Sequence, residues 1–220
     1  MSSTTSYRLS GVALIIGSVL TIIYYVSNAF ISGPFPEALA GPVAVIGSLI
    51  GFIGSVLVLL GLPGVYTHQA KAAGILGLLG FLFVWYVTLF QGILIPFTSV
   101  TIVPMLVTDP ATRHLLAAGP LASFTPFFIP SLVGQTLGIL LLAIATLRAR
   151  VFPRWIAWLL IATAILNAAS FVPFFPGALG NVATIIGYLP LAGLGYALLS
   201  AGRRESVEAQ PSSAQAEARA

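Results

Sequence analysis

The side chains able to do chemistry in this chain are amides, hydroxyls and phenols set at helical spacing. Thr21, Tyr25 and Asn28 follow one another at four and three residues, as do Thr163, Asn167 and Ser170. Thr88 and Gln91, Ser131 and Gln135, and the trio Asn181, Thr184 and Tyr188 repeat the pattern. Residues three and four apart share a helix face, so each group reads as a short polar stripe. Such groups donate and accept hydrogen bonds, yet they carry no charge at neutral pH. The chemistry they offer is recognition of an uncharged molecule.

Catalysis has less to work with. A nucleophile needs a base beside it, and the apolar stretches hold serines and threonines without one. His68 and His114 are expected at opposite ends of the molecule, which argues against a shared metal or a bis-histidine haem. The only lysine, Lys71, is expected in a loop, so no buried amine is present for a retinal Schiff base. With no cysteine in the chain, disulfides, thiolate ligands and thiol nucleophiles are ruled out. No catalytic residue, metal or cofactor is expected. An enzyme acting on a lipid-linked substrate, with catalytic groups not evident in the sequence, stands as an alternative.

The elements that must position these stripes follow from composition. The chain is 58% hydrophobic and 6% charged, with a mean hydropathy of +1.05. That is far too little charge to wet the surface of a soluble domain. Apolar runs recur near the roughly 20 residues needed to cross a hydrocarbon core, and they are continuous rather than alternating, which excludes barrel strands. The expected fold is all-α: an integral membrane bundle of about six transmembrane helices. The spans are placed at about 9–31, 42–62, 72–95, 121–147, 155–175 and 179–201, within one domain of residues 1–202. Residues 203–220, beginning "RRESVEAQ", read as a disordered tail. With the N-terminus inside, Arg8, Lys71, Arg148, Arg150, Arg154, Arg203, Arg204 and Arg219 fall on inner segments and only Arg113 outside. Both termini are therefore expected in the cytoplasm, in a bacterial-type plasma membrane. Residues 63–71 read as an inner turn and 96–120 as an outer loop, with Asp109 and Pro110 starting a short surface helix over 110–118. The basic charge is explained by span ends and implies no nucleic acid.

Most of the prolines, Pro96, Pro126 and Pro130 among them, map to the outer loops or the outer halves of the spans, accompanied by phenylalanines. Proline frees the carbonyl one turn earlier and bends its helix. Two readings of the stripes compete. In one they pair between helices, at about 0.6 kcal/mol per hydrogen bond, and fix register alone. In the other, bent outer halves open into a cup that takes an amphiphilic or neutral ligand: a lipid, isoprenoid, quinone or uncharged metabolite. The candidate ligand-binding residues are Tyr25, Asn28, Gln91, Phe124, Phe128, Ser131, Gln135, Asn167, Ser170, Asn181 and Tyr188. No polar stripe is expected to reach the inner face. Glycines at Gly47 and Gly51, and at Gly74, Gly77 and Gly80, have helix-packing spacing. They read first as ordinary packing between helices of one chain; the alternative is that the chain forms a homodimer along the second span or is an accessory subunit of a larger membrane complex.

Overall fold

The computed structural model describes residues 3–34, 37–112, 114, 125–170 and 177–208. Among these there is no strand. Helix α1 spans Ser3–Asn28, and a 3-10 turn at Glu37–Ala40 leads into α2, Pro42–Val87. A π-helical segment, Thr88–Leu94, joins α2 to α3, Ile95–Thr108. Helices α4 (Thr125–Ala149), α5 (Arg154–Ala169) and α6 (Gly177–Glu208) complete the order.

Helix α2 is broken at Gly74, whose φ of 57° and ψ of −152° are open only to glycine. The chain reverses there. Tyr66 stacks on Phe81, Ser55 abuts Gly92, and Phe52 meets Phe97, each pair centred on residues 73–75. The 67 residues from Pro42 to Thr108, one continuous apolar stretch by composition, thus form a helical hairpin. This corrects the reading of 63–71 as a turn. Pro63 lies inside the helix, as do His68 and Gln69. It also corrects the reading of Gly74 as a packing residue, since a Cβ there would touch nothing within 4 Å.

The helices close into a ring. Helix α1 packs on the 42–73 arm of α2 and on α6, the 75–87 arm packs on α4, and α5 sits between α4 and α6. Glycine brings several of these seams to backbone contact. A Cβ on Gly17 would lie 2.6 Å from the Gly54 carbonyl, and one on Gly80 would lie 2.6 Å from the Leu142 nitrogen. Gly47 and Gly51 face Ser27 and Tyr24 of α1. This stripe is therefore used for packing within the chain.

The core inside the ring is built from Leu14, Val58, Leu62, Leu142, Ile156, Leu160, Leu194 and Leu198, none more than 2% exposed. The outer faces are apolar as well: Val12, Ile16, Val19 and Ile23 on α1, Ile46, Leu49 and Ile53 on α2, and Val133 and Leu137 on α4 are all exposed. Four helices are long and apolar enough to cross a membrane, and α5 is a shorter apolar helix. The chain is a helical membrane protein.

Other boundaries shift. Helix runs on through 96–108, where a loop was expected. Asp109 accepts a bond from the Ala111 N–H at 2.9 Å, the bond a helix-capping residue makes, residues 110–112 form a turn, and most of the expected 110–118 helix lies outside the described residues. The helix of the first span stops at Asn28 rather than 31, and that of the fifth at Ala169. Helix α6 runs to Glu208, into the segment read as a tail. At the end of α4, Arg150 takes a left-handed φ of 53° and its N–H returns to the Thr146 carbonyl.

Candidate functional site

The ring encloses a cavity of about 60 Å³. Tyr25 comes from α1; Val84 and Val87 come from α2, with Thr88, Gln91 and Gly92 from the π segment. Helix α4 contributes Gln135, Ile139 and Leu142, helix α5 Leu160, Thr163 and Asn167, and helix α6 Thr184, Gly187, Tyr188 and Leu191. The stripes of these elements thus converge on one space.

The π segment has a local cause. Pro96 lacks the N–H that would bond the Gly92 carbonyl in α register, and just upstream the Ile95 N–H reaches back five residues to the Phe90 carbonyl. The wider turn places Thr88, Gln91 and Gly92 together on the cavity wall. Such bulges recur at functional sites. Period-3.6 reasoning cannot find one, although a proline following a polar stripe is the signal that could have.

Hydrogen bonding sorts the polar lining into satisfied and unsatisfied groups. Gln91 donates through Nε2 to Ser131 Oγ at 2.9 Å, and Ser131 donates onward to the Phe128 carbonyl at 2.7 Å. Thr88 and Thr163 turn their hydroxyls back to the carbonyls of Val84 and Leu159, both at 2.8 Å. Gln135 Nε2 lies 3.5 Å from Asn167 Oδ1, a long contact. Asn167 itself is 6% exposed, and its Nδ2 is buried without a partner. Turning both amides over would exchange donor for acceptor and still leave one Asn167 atom unmatched. An unpaired buried amide costs about 1–3 kcal/mol.

Of the candidate residues, Tyr25, Gln91, Gln135, Asn167 and Tyr188 line the cavity. Tyr25 and Tyr188 face each other with ring centroids 6.0 Å apart. The others take different places. Ser131 is fully buried and holds Gln91 from outside the lining. Asn28 meets the Tyr24 phenol, which also meets Ser48. Phe128 is half-buried off the cavity and offers its carbonyl to Ser131. Ser170 donates to the Asn167 carbonyl from an exposed position at the end of α5, and Asn181 is exposed. Phe124 lies outside the described residues.

Two deeper polar groups escaped the sequence reading. Gln69 and Thr146 are each 1% exposed, and the Thr146 hydroxyl donates to Gln69 Oε1 at 3.2 Å. They lie toward the end that carries Arg8, Lys71, Arg148 and Arg150, so polar chemistry does extend into the half expected to be purely apolar. Nearby, His68 stands between Tyr7 and Phe152, with centroids 5.0 and 5.3 Å away.

No Asp, Glu, Lys, Arg or His among the described residues lines the cavity. Among the described residues there is no cluster of three side chains able to hold a metal ion. Chemically, the arrangement can hold an uncharged group by hydrogen bonds and little else. A volume of about 60 Å³ is well below the roughly 300 Å³ of a drug-sized site and has room for a few waters or a comparably small group. A compact polar head or small solute is of the size such a space seats. No family model, no curated protein and no solved structure matches the chain, so its site is read from its own residues alone.

Proposed function

We propose that this is a non-enzymatic membrane protein of six spans that binds an uncharged molecule through a compact hydrogen-bonding group seated in the cavity. The span count takes the Gly74 hairpin as two crossings and α5, packed between two full-length helices, as one. The Lys/Arg-rich end faces the cytoplasm by the positive-inside rule, so the cavity opens toward the other leaflet or the exterior.

One observation carries the reading: the Asn167 amide, 6% exposed, has a donor without a partner in the wall of an uncharged cavity. Stripes that served only to fix register would be expected to satisfy each other, and this one does not. The missing partner is a hydrogen-bond acceptor such as a carbonyl or hydroxyl oxygen. Charge would be disfavoured, because no countercharge lines the wall. The accessory-subunit reading loses its main support, since the α2 glycines are used against α1.

Native mass spectrometry of protein released from lipid nanodiscs tests this. Wild-type protein should carry an uncharged small-molecule adduct that Asn167→Leu and Gln135→Leu lose while remaining folded. Wild-type protein that never carries such an adduct, or variants that retain it, would refute the site.

A further inference from the structure

We propose that the cavity is one half of a path for compact uncharged solutes across the bundle, closed in this structure by the packed apolar core that begins at Leu142, Leu160 and Leu191. The idea rests on the cavity being a binding site for a neutral polar group, and extends it from binding to passage.

Along α4, Gln135, Ile139, Leu142 and Thr146 are spaced by four, three and four residues and so share one face. The first three line the cavity; the fourth is buried and bonded to Gln69 of α2. Thr146 is four residues past Leu142, about 6 Å along the helix axis at 1.5 Å per residue. Leu142, Leu160 and Leu191 line the cavity, and they belong to one buried apolar cluster with Ile156, Leu194 and Leu198.

Gln69 is the telling residue. It is 1% exposed, its Oε1 is taken by Thr146, and its Nε2 has no partner. A leucine would fill similar volume without leaving a buried donor unmet. Two buried amides with vacant donors, Asn167 above the leucines and Gln69 below, are the arrangement needed for a solute that exchanges hydrogen bonds on either side of an apolar constriction. Apolar constrictions gate by dewetting. Beyond Gln69, His68 wedged between Tyr7 and Phe152 closes the basic end. With no Asp, Glu, Lys, Arg or His among the described residues of the cavity wall, ions are disfavoured and small amides or polyols are the class that fits.

Proteoliposomes containing the full chain test this by stopped-flow light scattering with acetamide and glycerol. Leu142→Ala, or Leu160→Ala if the first fails to fold, should raise acetamide permeability about tenfold over wild type by widening the constriction. Adding Gln69→Leu should reverse most of that gain, and sodium should remain excluded throughout. Folded alanine variants no more permeable than protein-free vesicles, with acetamide still contacting the Asn167 cavity by saturation-transfer NMR, would overturn the path and leave the binding site standing. Absence of both signals would overturn both. Equal leakage of sodium and acetamide would also overturn the path, by showing a nonspecific defect.

Discussion

Asn167 is held in a position that costs stability when its donor is unmet. The residue is 6% exposed, and its side-chain partner among the described residues, Gln135, is at 3.5 Å. Replacing it with leucine removes the unmatched donor and adds apolar contact beside Leu160 and Thr163. We expect Asn167→Leu to stabilise the ligand-free protein by about 1–2 kcal/mol in a detergent thermal melt, while abolishing the adduct. A variant less stable than wild type would mean that the amide is doing structural work. At this scale the sequence was informative but incomplete. Spacing grouped Tyr25, Gln91, Gln135, Asn167 and Tyr188 into polar stripes, and all five line the cavity, because a polar minority on an apolar helix has one sensible direction to point. It could not distinguish an inward residue from one that stops at a helix seam. Asn28 ends on Tyr24, and Ser131 stands behind Gln91. Only the rotation of neighbouring helices decides those cases.

Two backbone departures shape the elements. Gly74 reverses the chain at a φ and ψ that any β-carbon would strain, yet nothing lies within 4 Å of where that carbon would sit. Gly74→Ala should therefore cost about 1–3 kcal/mol through backbone strain alone. Ile75→Ala, at a neighbouring position 77% exposed, should cost much less; similar melting temperatures for the two would refute the hinge. The second departure is the π segment before Pro96. Pro96→Ala restores an N–H able to bond the Gly92 carbonyl, which should convert the segment to α register and rotate Gln91 away from the cavity. We expect slower hydrogen exchange over residues 88–96 and ligand binding weakened about fivefold, near the worth of one neutral hydrogen bond. Unchanged exchange would show that the proline does not set the register. The hairpin's existence was legible in the sequence, but its apex was not. Pro63, His68, Gln69 and Lys71 are the residues that ordinarily mark a turn, whereas here the helix carries them to Ala73. Reading Gln69 as a loop residue is also what concealed the buried Gln69–Thr146 pair.

At the scale of the whole molecule, polar groups lie inside and apolar ones cover both the core and the outer faces. Leu142 and Leu160 fill the interior below the cavity, while Ile16, Ile46 and Val133 look outward. Water would not tolerate that outer surface, but a bilayer has no reason to reject it, since hydrocarbon gains nothing by excluding leucine. Fold class was therefore readable from composition alone. Orientation depends on a weaker force, the preference of Lys and Arg for the cytoplasmic side, and here it has a clean measurement. The chain has no cysteine of its own, so a single introduced thiol reports one position without background. Lys71 is three residues before the hairpin apex, and Asp109 follows α3 at the other end of the returning arm. A membrane-impermeant maleimide applied to intact cells should label Asp109→Cys and spare Lys71→Cys, with permeabilisation reversing the second result. Labelling of both from outside would place the apex and the end of α3 on one side, and the hairpin would then dip into the membrane without crossing it. Labelling of Lys71→Cys alone would invert the bundle and turn the cavity toward the cytoplasm, making an intracellular solute the one that meets Asn167.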